Sequence, residues 1–328
     1  MRRREIIKGV VSLAVAWPVA ARAQQPAMPV IGLLGTSSPD LYAIRLGVFR
    51  EGLKEAGYVE GQNVSIEYRW AQDHVDRLPA LAADLVQRRV NVIVAASGTP
   101  GAVAAKAATA TIPIVFAVAG DPIKLGFVES LNRPGGNLTG VTNLNVEIAP
   151  KRLEVLHALL PTATDLAVLI DPTGSAPAEP FVREVQAAAR SFGLRVHVLN
   201  ASSERDFDPA FARVVQLKAA ALIIAASIFF VGRHEQLATL ATRYKVPTIS
   251  QYRPFAAAGG LMSYGPDETE FYHLVGTYTG RILKGEKPAQ LPVVQSTKVE
   301  LIINLKTAKA LGIEVPLSLL GRADEVIE

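Results

Sequence analysis

Small polar residues cluster just ahead of prolines at several points: Ser37-Ser38-Pro39, Ser97-Gly98-Thr99-Pro100, Gly120-Asp121-Pro122 and Asp171-Pro172. A further cluster, Gly265-Pro266-Asp267, has the same composition. Each follows a short apolar run. A Ser, Thr or Asp followed by Pro is a good N-cap followed by a good first helical residue, so each cluster by itself reads as a helix start. Taken together they imply more. Helix N-termini gathered at one place present free amide N–H groups and hydroxyls, which suit a carboxylate or another anionic head group. Asp121 also carries a carboxylate that could hold a ligand's ammonium or hydroxyl.

Catalytic patterns are scarce beside this. The chain has no cysteine, which removes disulfides, thiol catalysis and Cys-ligated metals together. Its five histidines, His74, His157, His197, His234 and His273, show no metal-ligand spacing. There is no Gly-x-Ser-x-Gly elbow, no Walker phosphate loop and no dinucleotide glycine fingerprint. The chain is therefore expected to be a binding protein, without catalytic residues, metal or cofactor.

The elements that must position these clusters alternate along the chain. The run Val30 to Gly35 reads as a buried strand, followed by an amphipathic helix to Gly57. Strands at 64–68, 92–95, 112–119 and 138–142 follow, separated by helices at 76–89 and 100–109. The scheme then repeats. Helices at 149–160, 177–192, 209–217 and 232–244 alternate with strands at 166–170, 195–199, 221–225 and 248–250. A strand at 261–264, a long helix at 267–284, a strand at 299–303 and a helix at 306–311 complete it. Strands alternating with helices imply parallel sheets covered on both faces. A chain of 328 residues is also near the size at which one core gives way to two. The expected fold is α/β, with two doubly wound parallel-sheet lobes facing each other across a cleft. Ligands of such sheets bind beyond the carboxyl ends of the strands, where the polar clusters lie.

A formal charge of +4 raises the question of nucleic acid, but the excess sits at the N-terminus. Met1-Arg2-Arg3-Arg4-Glu5-Ile6-Ile7-Lys8, an apolar stretch from Gly9 to Ala20 and Ala21-Arg22-Ala23 form the three parts of an export signal. The Arg3-Arg4-Glu5-Ile6-Ile7-Lys8 run fits the twin-arginine pattern as well as an ordinary secretory signal. Removing residues 1–23 takes away Arg2, Arg3, Arg4, Lys8 and Arg22 with Glu5, leaving 29 residues of each sign. That neutral remainder argues against nucleic acid. The mature chain is expected in the periplasm, not embedded in the membrane, and acting as a monomer.

Several stretches resemble one family, the exported solute-binding proteins of ABC transporters with the type I periplasmic binding fold, in the branch that includes tryptophan- and tyrosine-type binders. They are Gly52-Leu53-Lys54-Glu55-Ala56-Gly57-Tyr58, Ile112-Pro113-Ile114-Val115-Phe116 and Gly120-Asp121-Pro122. Further on come Asn132-Arg133-Pro134-Gly135-Gly136-Asn137-Leu138-Thr139-Gly140 and the tail Gly321-Arg322-Ala323-Asp324-Glu325-Val326-Ile327. The resemblance implies lobes of 24–142 plus 265–292 and of 143–264 plus 293–328. Three crossovers would join them, near 140–145, 261–265 and 291–297. It maps ligand contacts onto Thr36, Ser37, Ser38, Ser97, Gly98, Thr99, Gly120 and Asp121 in the first lobe, and onto Thr142, Ser227, Tyr252 and Tyr264 across the cleft. It also implies a small-molecule ligand, either an amino acid or an aromatic or apolar carboxylate, and an ABC permease with its ATPase as partners. Amino-acid binders of the family commonly carry an acidic or amide residue in the loop after the strand at 221–225. Here the loop reads Ser227-Ile228-Phe229-Phe230, which favours a more apolar ligand unless the phenylalanines pack in the core. The same fold could instead serve as a sensory domain reporting to a membrane receptor.

Overall fold

A computed structural model describes residues 28–96, 98–143, 148–172 and 178–328. The export signal proposed for residues 1–23 lies outside these, as does Ser97.

The first sheet holds six strands: β1 (Val30–Gly35), β2 (Ser65–Trp70), β3 (Val92–Ala95), β4 (Ile114–Ala119), β5 (Leu138–Asn143) and β11 (Val294–Ser296). Their order is β11-β5-β4-β3-β1-β2, and every pair is parallel. The central strands are apolar along their whole length because helices cover both faces. Helices α1 (Pro39–Glu55) and α10 (Glu268–Leu283) pack on one face through Tyr42, Phe49, Leu53, Phe271 and Val275. Helices α2 (Leu78–Gln87) and α3 (Thr99–Ala108) cover the other through Leu78, Leu85, Ala102 and Ala105.

The second sheet runs β13-β12-β10-β9-β8-β6-β7. Its strands are β6 (Asp165–Ile170), β7 (Arg195–Asn200), β8 (Leu222–Ile224), β9 (Thr248–Ser250), β10 (Met262–Pro266), β12 (Val299–Asn304) and β13 (Glu325–Ile327). Helices α4 (Ala149–Leu159), α5 (Ala178–Ser191), α11 (Leu305–Ala310) and α12 (Leu317–Leu320) lie on one face. Helices α6 (Phe207–Gln216), α8 (His234–Arg243) and α9 (Arg253–Ala257) lie on the other, with the single turn α7 (Ile228–Val231) beside them.

Two details depart from the sequence expectation. Strand β12 is antiparallel to β10. It enters its sheet directly from β11 of the first sheet, across only Thr297 and Lys298, and so runs against the strands that entered from the other end. Asn143 and Val294–Ser296, assigned from sequence to the second lobe, pair instead in the first sheet, while Gly265 and Pro266, assigned to the first lobe, lie on β10 of the second sheet. Such a short strand at a crossover shows no apolar alternation to reveal its side.

The α1–α10 contact places both helices at the mouth of the space between the sheets, and glycine allows it. A Cβ at Gly276 would lie 2.1 Å from the Phe49 carbonyl oxygen, and one at Gly52 would lie 2.0 Å from that of His273. The two helix backbones therefore touch, and only glycine fits at the crossing. Tyr278 Oη donates to the Pro292 carbonyl at 2.7 Å, tying α10 to the chain that leads into β11.

Arg152, on α4, is fully buried among lobe-two residues. Its Nε donates to the Tyr264 carbonyl on β10 at 2.7 Å, and its guanidinium lies 6.0 Å from the Phe181 ring. Burial pulls its pKa down to about 10. This side chain ties the first helix after one crossover to the strand of the next.

Candidate functional site

The carboxyl ends of both sheets face one cleft with an empty volume of about 740 Å³, its open mouth included. From the first lobe come Ser37 after β1, Gly98 and Thr99 at the start of α3, Ala117 to Ala119 on β4, and Asn143 at the end of β5. The second lobe supplies Ala226, Ser227, Val231 and Tyr252. Tyr42 and Arg45 on α1, with Glu268, Phe271 and Tyr272 on α10, close the remaining side.

The aromatic wall is held rigidly. Tyr42 Oη donates to the Ala96 carbonyl at 2.6 Å, which fixes its ring. Tyr272 meets Tyr42 edge-on at 5.5 Å and Phe271 edge-on at 5.2 Å, the preferred geometry for aromatic pairs. Trp70 supports the wall from behind, its ring 5.3 Å from that of Tyr42 and stacked on Tyr68 at 6.2 Å.

One ion pair sits in this wall. Arg45 Nη2 donates to Glu268 Oε1 at 2.8 Å and to Oε2 at 3.2 Å, and Nε donates to Oε1 at 3.1 Å. The guanidinium lies 5.9 Å from the Tyr42 ring, 5.9 Å from Tyr252 and 5.7 Å from Tyr272, within cation–π range of all three. Burial alone would lower the Arg45 pKa; Glu268 and the tyrosine hydroxyls outweigh it, and the net shift is upward. Burial pushes the Tyr272 phenol up to about 12 and raises those of Tyr42 and Tyr252. Arg45 is thus charged and the phenols neutral across the physiological range.

Two polar atoms in the cleft lining stand out. Ser37 Oγ and Asn143 Oδ1 are buried, and neither has a hydrogen-bond partner among the described residues. Buried polar groups are nearly always paired, so two orphans lining one cavity mark a place where a ligand's polar groups fit. Beside Ser37, α3 begins at Gly98, whose φ of +87° suits glycine, and no side chain caps the helix. The uncapped amides there make a receptor for a carboxylate.

The sequence-derived site residues divide accordingly. Ser37, Gly98, Thr99, Ser227 and Tyr252 line the cleft. Ser97 lies outside the described residues, and the others have structural partners instead. Ser38 caps α1, its Oγ accepting from Leu41 N at 3.5 Å. Thr36 is buried, with its carbonyl accepting from Asp73 N at 2.8 Å. Thr142, expected across the cleft, lies on β5 of the first sheet: its Oγ1 donates to the Gly120 carbonyl at 2.6 Å, while Gly120 N donates to the Asn143 carbonyl at 3.0 Å, so both residues fix the strand end that presents Asn143. Asp121 Oδ1 accepts from Ile123 N at 2.9 Å and from Lys124 N at 3.4 Å, so it caps a turn, and the helix start expected at Asp121-Pro122 is not formed because the chain turns over residues 122–126. Tyr264 packs against the second-lobe core, and its carbonyl holds Arg152. Ser227 touches the cleft, but its Oγ donates to Asp171 Oδ2 at 2.8 Å and accepts from Phe229 N at 3.1 Å.

The phenylalanines after Ser227 belong to the core. Phe230 is 3% exposed, and both rings pack on Phe207. A smaller space of about 330 Å³ lies in the second lobe, sharing Ser227, Val231 and Tyr252 with the cleft.

Sequence reasoning missed Tyr42, Arg45, Asn143, Glu268, Phe271 and Tyr272. A signal existed. Tyr42 and Arg45 are three apart on α1, and Glu268, Phe271 and Tyr272 are spaced three and four apart on α10, so each set shares a helix face. What sequence could not show was that these two faces meet.

Comparison with known proteins agrees with the architecture. Residues 32–327 match the family model of ABC transporter substrate binding proteins, and the chain belongs to that family, which consists of binding proteins and not enzymes. A tyrosine-binding protein of Clostridioides difficile (strain R20291) is 28% identical over 267 residues, covering 81% of this chain and 76% of the relative. A Streptococcus pneumonia ABC domain solved in complex with L-Trp superposes with a TM-score of 0.81 at 26% identity, over 91% of this chain and 99% of the other. A conserved domain protein of Vibrio cholerae gives 0.82 at 26% identity, with the same coverage. The fold is the type I periplasmic binding fold. No helix among the described residues is long and apolar enough to cross a membrane.

Proposed function

We propose that this chain captures an aromatic carboxylate, an aromatic amino acid or a related aromatic acid, in the periplasm and delivers it to an ABC permease with its ATPase. The observation that carries this reading is the pairing of orphaned Ser37 Oγ and Asn143 Oδ1, beside the open α3 N-terminus, with a wall of fixed aromatic rings. The polar end takes the head group and the rings take the body. The tyrosine-binding relative and the L-Trp complex support an aromatic ligand.

Capture would proceed by closure of lobes 24–142 plus 265–292 and 143–264 plus 293–328, with Asn143 and Val294–Ser296 counted in the first and Gly265 and Pro266 in the second. Ligand contacts from both lobes exist only when they are closed, so ligand shifts the population toward that state.

A panel containing L-tryptophan, L-tyrosine, L-phenylalanine and their deaminated acids tests this. At a hundredfold excess over Kd, a true ligand stabilises the fold by about 2.7 kcal/mol. Trp70, the only tryptophan after residue 17, reports through its contact with Tyr42, so its fluorescence should change as the melting temperature rises. Neither change with any aromatic carboxylate, alongside a clear response to sugars or aliphatic solutes, would reject the reading.

A further inference from the structure

Gly232, between α7 and α8 in the second lobe, is a glycine without a backbone reason. Its φ is not in the left-handed region, so a side chain would not strain the main chain. The reason is spatial and comes from the other lobe. A Cβ at Gly232 would lie 2.8 Å from Leu41 Cδ1 and 3.4 Å from Cδ2, and Leu41 belongs to the first turn of α1.

Other contacts cross the cleft on the same side. One turn along α1, Arg45 faces the Tyr252 ring at 5.9 Å. Next to Gly232, Val231 lines the cleft, and the charge of Arg233 acts on Asp73 of the first lobe. Arg233 is itself positioned within its own lobe, with Nε donating to Glu204 Oε1 at 2.7 Å and its guanidinium 4.5 Å from the Phe229 ring. The segment carrying Gly232 is thus held in place from behind while its front receives Leu41.

We infer that Gly232 is the seat on which Leu41 comes to rest when the lobes close, and that side-chain size at position 232 sets how far they can close. Alanine there requires the end of the Leu41 side chain to shift, which its flexible tip allows. Leucine there acts as a doorstop: two branched side chains cannot share the space, and the closed state loses population while each lobe keeps its own core. The inference rests on capture by closure but not on the identity of the ligand, so its test uses none.

The absence of native cysteine makes the test direct. A chain carrying Leu41→Cys and Gly232→Cys should form an intramolecular disulfide under mild oxidation, read by thiol titration and gel mobility. A Leu41→Cys, Val215→Cys control, with the second cysteine on exposed α6, should not. In a second chain, spin labels at Val103 and Val215, both about half exposed, report the distance between lobes. The cross-linked chain, labelled at the same two positions after locking, defines the closed distance. The parent should show that distance as one component, Gly232→Leu should lose it, and Gly232→Leu with Leu41→Ala should regain it. A rescue by shortening the opposite side chain would not follow from damage within the second lobe. Failure of the 41–232 cross-link, a parent lacking the closed component, or a Gly232→Leu chain that keeps it would each overturn the inference. None of these outcomes bears on which solute the cleft prefers, which the panel above decides separately.

Discussion

Ser37 and Asp121 stood on equal terms in the sequence, each a small polar residue at a strand end, and the structure gives them opposite roles. Ser37 Oγ has no partner among the described residues. Replacing it with alanine removes an unsatisfied buried group, so Ser37→Ala should leave the melting temperature unchanged or slightly raised. The same change should weaken ligand binding, by about 1.5–3 kcal/mol if the hydroxyl bonds a carboxylate. Calorimetric unfolding and a titration with whichever panel compound binds check the two halves, and equal affinity in the variant would remove Ser37 from the site. Asp121 should behave in reverse. Asp121→Asn keeps the turn's hydrogen bonds and should match the parent in both stability and affinity; Asp121→Ala should lose about 1 kcal/mol of stability, the usual net worth of a lost hydrogen bond. A tenfold loss of affinity in the asparagine variant would return Asp121 to the binding residues.

At the scale of elements, the crossing of α1 and α10 does most to build the cleft, because it brings Tyr42 and Arg45 against Glu268 and Tyr272. Gly276 sits at the closest approach. Gly276→Ala must push the helices apart, and overpacking of this kind costs about 1–3 kcal/mol. Gly47, on the same α1 helix, has nothing within 4 Å of a built Cβ. Gly47→Ala should therefore stabilise by roughly 0.5–1 kcal/mol through helix propensity alone. Opposite signs of the two changes in urea unfolding are the expected result. The movement of Gly276→Ala should also disturb the Arg45–Glu268 pair, and so reduce affinity as well as stability.

Over the whole molecule, several carboxylates sit below their ordinary range for local reasons. Hydrogen bonds from Arg195, His197 and Thr164 lower Asp165; those from Arg253 lower Glu325, and those from Arg281 lower Glu286. Asp267 is lowered as well, because Lys298 and the first amides of α10 outweigh the opposing effect of burial. Each is a folded-state pKa below the unfolded one. The stability they contribute is fully present above the ordinary values, 3.8 for aspartate and 4.5 for glutamate, and is lost as pH falls through the folded values. The melting temperature should be nearly level from neutral pH down to about 5 and fall steeply below about 4. Asp165→Asn should make that fall shallower, because one of the groups that titrates on folding is gone. A steep loss already between pH 7 and 6 would show that these carboxylates do not set the acid limit of the fold.

The sequence by itself determined the elements and their class. Apolar runs bounded by Gly, Pro and Asp read as βα units, because strands buried on both faces and helices starting at caps are set by nearest neighbours in the chain. The helix expected at 267–284 lies at Glu268–Leu283 with Asp267 as its cap, and the strand expected at 92–95 lies at Val92–Ala95. The polar loop residues Ser37, Gly98 and Thr99 were legible for the same reason, since strand ends can be found without knowing what lies opposite. Tertiary structure decided the rest. Arg45 and Glu268 are 223 residues apart, and no local pattern foretells a bidentate pair between them. Gly232 owes its lack of a side chain to Leu41 in the other lobe. The antiparallel entry of β12 and the transfer of β11 to the first sheet follow from where the chain crosses, which short strands of three to six residues do not record. Local structure is written in local periodicity, whereas a cleft between two lobes is a set of contacts between distant segments, and only packing brings those together.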